Sequence, residues 1–399
     1  MKNITLKRGK QESLLRFHPW VFSGAIKHVD EGINEGELAK VMTENGEFIA
    51  IGHYQQGSIT VRVLTFDDEL IDDDFWRRRL ASALQVRIAM GIADTPRNNT
   101  YRLVHGEGDM LPGLVIDIYD QTAVMQAHSV GMHLLRHTLA EQLLKVMEGR
   151  ITNIYYKSET TLSFVEPENG FLIGGSEVNT AMENGLTFHV DWLNGQKTGF
   201  FVDQRDNRSL VERYAQGRNV LNMFCYTGGF SVYAMRGGAR LVHSVDASAK
   251  AIELTRRNVE LNFPGDARHE AYCDDAFRFL DSVADSTLNS QHSALDYDLI
   301  ILDPPAFAKH RGALHNALKG YTRLNNKAFE KIAKGGVLFT FSCSQVVTKD
   351  QFRAAVFTAA AQARRRVRIL HQLHQPADHP VNIYHPEGEY LKGLVLYVE

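Results

Sequence analysis

The sequence predicts an α/β chain in three parts. These are a small β-rich unit over 1–70, a linker helix with an α+β module over 71–190, and a larger α/β unit over 191–399. Three observations lead there. The chain has 399 residues, whereas one domain holds about 50–250. Turn-punctuated strands fill its beginning. From about residue 190 on, apolar strands alternate with helical patterns, the texture of a mostly parallel sheet covered on both faces.

In the first part "GELAKVMTENGEFIAIGHYQ" reads as strand, Asn45-Gly46 turn, strand, because Asn-Gly accepts the positive φ of a tight hairpin. "SITVRVLTF" continues the alternation. Asp72 to Ala93 has helical spacing, with Phe75, Leu80, Leu84, Val86 and Ile88 on its apolar face. In the second part "TYRLVHGEGDMLPGLVIDIYDQTAVMQAH" reads as strands divided by Gly/Asp/Pro turns. "GMHLLRHTLAEQLLKVM" is an amphipathic helix and "ITNIYYKSE" a strand. Turns follow at Pro167-Glu168-Asn169-Gly170 and Asn184-Gly185, and the order is β-β-α-β-β.

The third part holds seven strands. They are "NVLNMF", "RLVHSVDAS", the segment ending at Asp274-Asp275, "YDLIILDPP", "VLFTFSCS", "RVRILHQL" and "GLVLYVE". Between them lie the helices "GFSVYAMRG", "AKAIELTRRNVELN", "YTRLNNKAFEKIAKGG", which glycine closes, and "KDQFRAAVFTAAAQA".

Apolar residues make up 44% and charged residues 23%, the balance of a soluble globular chain. No apolar run nears the roughly 20 residues of a membrane span. The N-terminus lacks the apolar core of a signal peptide. Cys225, Cys273 and Cys343 form no disulfide framework and no CxxC pair. This fits a reducing cytoplasm, at most one reactive thiol and no metal site. The net charge of −3 gives no global pull toward nucleic acid. RNA contact would rest on local clusters: Lys7, Arg8, Lys10 and Arg16; Arg77 to Arg79; and Arg364 to Arg366. The two arginine triplets read more simply as solvated helix faces.

In a sheet of this kind ligands bind at the carboxyl ends of the strands, near the switch point. There the first strand runs into "NMFCYTGGFS", where Gly228-Gly229 lets the backbone approach a ligand. The pyrophosphate fingerprint G-x-G-x-x-G is absent. Asp246 ends the second strand, placed either to accept from ribose hydroxyls or to cap the helix at Ala249. Asp275 follows the third strand, facing an adenine amino group or capping a helix. "LIILDPPAF" closes the fourth strand with a carboxylate, Asp303. It is followed by the stiff, N–H-free pair Pro304-Pro305, and then by Phe307, available to stack on a base. The fifth strand ends in Ser342-Cys343-Ser344. A free cysteine is ordinarily a small buried apolar residue. That reading suits Cys225 and Cys273, whereas the polar flanks and strand-end position of Cys343 point to a nucleophile.

Together these residues resemble the class I S-adenosylmethionine-dependent methyltransferases, with their Rossmann-like sheet. "NMFCYTGGF" resembles their first motif, which assigns Asn222, Phe224, Tyr226 and Gly228 to the cofactor alongside Asp246, Asp275 and Asp303. "GQKTGFFVDQRDNR", "RFHPWVFSGAI" and "RLVHGEGDMLPGLVID" extend the likeness over the whole chain. The family it resembles is that of the cytosine-5 methyltransferases of large-subunit (23S) rRNA that carry an N-terminal PUA domain.

The resemblance implies S-adenosylmethionine as cofactor and large-subunit rRNA as partner. It places Gln204 and Arg208 over the methionine end of the cofactor. It assigns Pro304, Pro305, Phe307, Lys309, Arg16, Lys7 and Arg8 to the RNA. It makes Cys343 the nucleophile that adds to cytosine carbon 6, with Asp303 on the N3/N4 edge. In one respect the chain departs from the pattern. Ala306 stands where many such enzymes carry a second cysteine, so the group that removes the carbon-5 proton stays open among Asp303, Lys309 and a water. Two other readings are methylation of an exocyclic amino group of adenine or guanine, with Cys343 dispensable, and an RNA-binding assembly factor with a vestigial cofactor site. The sequence leaves open whether the chain forms a homodimer.

Overall fold

The computed structural model describes residues 1–162, 169–283 and 296–399. The expected turn at Pro167-Glu168 lies outside them. The chain divides into two compact units, Met1–Gly185 with Val190–Val202 and Ala377–Gly388, and Leu186–His189 with Asp203–Pro376 and Glu389–Glu399.

Among its described residues the first unit holds a six-stranded and a five-stranded sheet. The six-stranded sheet runs in the order Trp20–Phe22, Ile59–Thr65, Phe48–Tyr54, Leu38–Met42, Lys2–Leu6, Ile26–Val29. Its hairpin turns at Asn45-Gly46, where Gly46 donates to Thr43 O at 3.1 Å. Ile4, Leu6, Val41, Ala50 and Val61 form its core.

The second sheet, of five strands, runs Asn169–Ile173, Asn153–Lys157, Thr122–Ala127, Leu114–Tyr119, Thr100–His105. Three strands rather than two therefore precede its helix. Asp120 adopts φ 53° and lets the chain reverse within one short turn. That helix breaks into Val130–Leu134 and Arg136–Met147.

The helix Asp73–Ala89 also departs from expectation. Val86 is exposed, and Arg87 is buried in its stead. The Arg87 guanidinium forks onto Asp109, with Nη2 to Oδ2 at 2.8 Å, and also donates to Asp378 O at 2.7 Å. A charge-forked arginine can thus occupy a core position that the hydrophobic pattern assigns to its neighbour.

The second unit is built on seven strands: β1 (Asn219–Met223), β2 (Leu241–Asp246), β3 (His269–Cys273), β4 (Tyr297–Leu302), β5 (Ile332–Ser342), β6 (Val367–Leu373) and β7 (Lys392–Val398). Their order is β3-β2-β1-β4-β5-β7-β6. The first five pair in parallel, and β7 lies antiparallel between β5 and β6. The order reverses between β1 and β4, which makes their carboxyl ends the switch point.

Helices Gly229–Arg236, Ala249–Asn262, Ala276–Ser282, Leu314–Lys331 and Lys349–Gln362 alternate with the strands. One expected boundary moves. The helix Leu314–Lys331 is not closed by glycine, because β5 begins at once at Ile332. Gly335, at φ 79°, lies inside that strand, where the pairing with β4 skips from Tyr297↔Ile332 to Leu299↔Val337. Among the described residues no helix is long and apolar enough to cross a membrane.

Candidate active site

The turn after β1 is built from unusual backbone. Phe224 and Tyr226 adopt φ 59° and 48°, and Gly228 adopts 74°. Left-handed conformations at two aromatic residues are strained, and strain of this kind gathers at functional sites. The space beside the turn is tight. A Cβ on Gly228 would meet Thr255 Cγ2 at 2.8 Å, and one on Gly229 would meet Arg208 Cδ at 2.9 Å. Asn222 is fully buried, and its amide donates to Ser231 Oγ at 2.8 Å. Its side chain thus serves the layer beneath the turn, in a chain that continues through Ser244 to His269.

Asp246 closes β2. Its Oδ2 accepts from Tyr226 N at 3.1 Å and its Oδ1 from Ser248 N at 2.9 Å. The helix at Ala249 is capped by Ser248 instead, so the capping reading of Asp246 falls away. Asp275 is the opposite case. It is exposed and caps Ala276–Ser282, with Oδ1 accepting from Phe277 N and Arg278 N, both at 3.0 Å.

At the end of β4 Asp303 is half-buried, Pro304 buried, Pro305 and Lys309 exposed. Gln204 Nε2 donates to Asp303 Oδ2 at 3.1 Å and Asn207 Nδ2 to Gln204 Oε1 at 2.6 Å. The segment before β1 is packed into the unit: Gln204, Arg205, Asn207 and Arg208 are all buried. Phe307 is half-buried, and its ring packs at 4.6 Å from the fully buried Tyr321, which braces the lip.

At the end of β5 the two serines are buried and bonded, while Cys343 between them stays half-exposed. Ser342 Oγ donates to Tyr321 Oη at 2.9 Å, and Ser344 Oγ donates to Ala308 O at 2.6 Å. The second bond ties the cysteine turn to the Asp303–Ala308 lip. Burial raises the Tyr321 phenol above its usual range, and the neighbouring Cys343 and Asp303 add to the rise.

Sequence reasoning missed Lys392, on β7 opposite Ser342. It is 6% exposed and donates to Ser344 O at 2.5 Å and Val347 O at 2.6 Å. The available signal was a lysine at the head of the apolar strand "KGLVLYV".

The other cysteines separate. Cys225 is buried against Ile252 and Ala271, and burial pushes its thiol up to about 12. Cys273 corrects the expectation of a buried plug, for it is exposed. Among the basic clusters Lys7, Arg8, Lys10 and Arg16 are exposed. Arg77 and Arg78 pair with Asp74 and Glu69 on an exposed helix face. Arg365 lies beyond the end of its helix and clamps the carbonyls of Phe329, Ile332 and Glu399. Among the described residues no group of three or more His, Cys, Asp or Glu is placed to hold a metal ion.

A family model described as S-adenosylmethionine-dependent methyltransferase matches residues 167–386, and one described as PUA-like domain matches residues 4–66. The ribosomal RNA large subunit methyltransferase I of Shewanella denitrificans is 38% identical over 406 residues, covering 99% of each chain. That of Tolumonas auensis is 39% identical over 401 residues, covering 98% of each. Among solved structures, a candidate methyltransferase complexed with SAH superposes with a TM-score of 0.85 at 22% identity, covering 100% of both chains. A candidate SAM-dependent methyltransferase from Streptococcus mutans gives 0.83 at 21%, again over 100% of both. At these identities the structural likeness is one of fold. With its matched domains and its near full-length relatives, the chain belongs to the family of the ribosomal RNA large subunit methyltransferase I proteins, S-adenosylmethionine-dependent enzymes with an N-terminal PUA-like domain.

Proposed function

We propose that this enzyme methylates carbon 5 of a cytosine in large-subunit (23S) rRNA, through a covalent bond between Cys343 Sγ and carbon 6. The observation that carries the reading is the half-exposed Cys343 at the end of β5, held between two buried, hydrogen-bonded serines. A side chain that only filled space would not need both neighbours pinned.

The residues present suit the cofactor. Positive φ at Phe224, Tyr226 and Gly228 bends the turn after β1 as strained functional turns are bent, and the Asp246 carboxylate at the next strand end suits ribose hydroxyls. Asp275 can serve an adenine amino group while capping its helix, since a carboxylate has about four acceptor sites. The buried Gln204 and Arg208 lie before β1, where the methionine end is expected. Bound there, S-adenosylmethionine supplies an electrophilic methyl group.

Carbon 5 of cytosine is a weak nucleophile. Addition of the Cys343 thiolate to carbon 6 makes the ring an enamine whose carbon 5 can take the methyl. Asp303, oriented by Gln204, takes the N3/N4 edge of the cytosine; in its protonated form it donates to N3, where negative charge develops as the thiolate adds. Transfer of the carbon-5 proton to a base, with Asp303, Lys309 and a water as the candidates, then expels the thiolate and restores the aromatic ring. The base must be unstacked for this chemistry, since carbon 6 is unreachable in a duplex. Lys7, Arg8 and Arg16, exposed on the PUA-like part, would hold phosphates. A reducing cytoplasm keeps the thiol available.

RNA carrying 5-fluorocytosine tests the reading, because fluorine at carbon 5 blocks release. A covalent adduct should accumulate with the unaltered enzyme and vanish in Cys343→Ala. Full methyl transfer by Cys343→Ala would replace this reading with methylation of an exocyclic amino group.

A further inference from the structure

We infer that Lys392 is a positioning residue for Cys343: its buried ammonium fixes the turn that carries the thiol and supplies the positive charge that favours the thiolate. This rests on the reading of Cys343 as nucleophile. Lysine is almost never fully buried unless it is paired, since an ammonium in an apolar interior is expensive. Lys392 is 6% exposed and spends two of its three N–H donors on the carbonyls of Ser344 and Val347. Both acceptors belong to the turn that follows Cys343. Neither carries a full negative charge, and no carboxylate lies within ion-pair distance of Lys392 among the described residues.

The charged and titratable groups that face it are few. Cys343 comes from the end of β5, Lys349 from the start of the helix Lys349–Gln362, and Glu389 from the approach to β7. Lys349 and Glu389 pair with each other at 2.8 Å and largely cancel. Cys343 is thus the remaining group that can become an anion beside Lys392. Burial holds the Lys392 ammonium down to about 8, and proximity to Cys343 works in the opposite direction. The lysine is therefore mostly charged at neutral pH. A thiolate beside an ammonium is the arrangement that lowers a cysteine's pKa. The register Ser342↔Lys392 makes the placement a property of the sheet rather than of a mobile side chain.

The test reads thiol acidity without RNA, so it can fail independently of the methylation chemistry. Cys273→Ser removes the exposed thiol, and Cys225 is buried and unreactive, so iodoacetamide then reports on Cys343. In that background the alkylation rate is followed against pH. Lys392→Gln, which keeps a donor and drops the charge, should move the inflection upward by about one pH unit, the low end of the effect of one adjacent charge. Alkylation at pH 7 should then slow about tenfold, and Lys392→Arg should restore most of it. An unmoved inflection in Lys392→Gln overturns the inference, whatever Cys343 does to RNA. Should neither variant fold, the profile of the Lys392 protein decides alone: an inflection at or above that of a free thiol, about 8.5, overturns it as well.

Discussion

The turns after β1 and β5 leave the same carboxyl edge of one parallel sheet, yet they are made of different materials. After β1 the work falls to the backbone. Phe224, Tyr226 and Gly228 all take positive φ, and glycines let Thr255 and Arg208 pack close beside them. After β5 neither serine nor the cysteine takes positive φ, and side chains hold the turn: Ser342 on Tyr321, Ser344 on Ala308, Lys392 on Ser344. The difference follows from what each turn presents. A bound nucleoside needs N–H groups and room, which bent backbone provides. A nucleophile needs one sulfur atom held still, and that takes support from a second layer of side chains.

Four experiments test this contrast. The largest effect is expected from Gly228→Val. Its added Cβ would lie 2.8 Å from Thr255 Cγ2 at a φ that valine resists. Cofactor affinity by calorimetry should fall about 100-fold, or ~3 kcal/mol, while Cys343 alkylation is unchanged. Ser344→Ala should do the reverse. It leaves the Ala308 carbonyl without its hydroxyl donor, a loss of about 1–3 kcal/mol. The 5-fluorocytosine adduct should form about tenfold more slowly at unaltered cofactor affinity; a change in affinity alone would erase the contrast. Asp246→Asn keeps an acceptor and drops the charge. Cofactor affinity should weaken by a factor of about three to ten, in line with the extra worth of a charged acceptor.

The smallest effect concerns acid. His269 ends the buried polar chain under the β1 turn, and burial, with the neighbouring His243 and Arg256, holds it down to about 4. His53, in the first unit, is likewise held at about 4 by burial and by Arg62. Both are neutral in the fold and take up a proton near 6.5 once unfolded. The stability they lend is complete above about 6.5 and drains away as the pH falls toward 4. The melting temperature should drop over that window, and His269→Gln should flatten the slope. An unchanged slope in that variant would remove His269 from the account.

Much of the architecture could be read from the chain. The βα alternation past residue 190 and the strand-end acids Asp246 and Asp303 stand where periodicity and turn chemistry put them, because strand period and helix period are local properties. What stayed hidden is tertiary. Arg87 displaces Val86 from the core because Asp109 and Asp378, 22 and 291 residues away, supply its acceptors. The packing of the half-buried Phe307 on Tyr321, ring to ring at 4.6 Å, is likewise set by tertiary contact. Whether a cysteine is plug or surface thiol depends on what packs above it, which is why Cys225 and Cys273 part company. Lys392 looks like an ordinary edge lysine until β7 is seen to lie between β5 and β6.

The excursion Ala377–Gly388 sets how the protein can be dissected. It interrupts the second unit between β6 and β7, while Asp378 receives Arg87 and the Arg102 amide in the first. A fragment that stops before 377 lacks β7 and so exposes a flank of β5 in the middle of the sheet. One that runs to the C-terminus from residue 186 brings the excursion without its arginine anchors. No single cut therefore yields a self-sufficient catalytic half, and function should be mapped by point substitution in the intact chain.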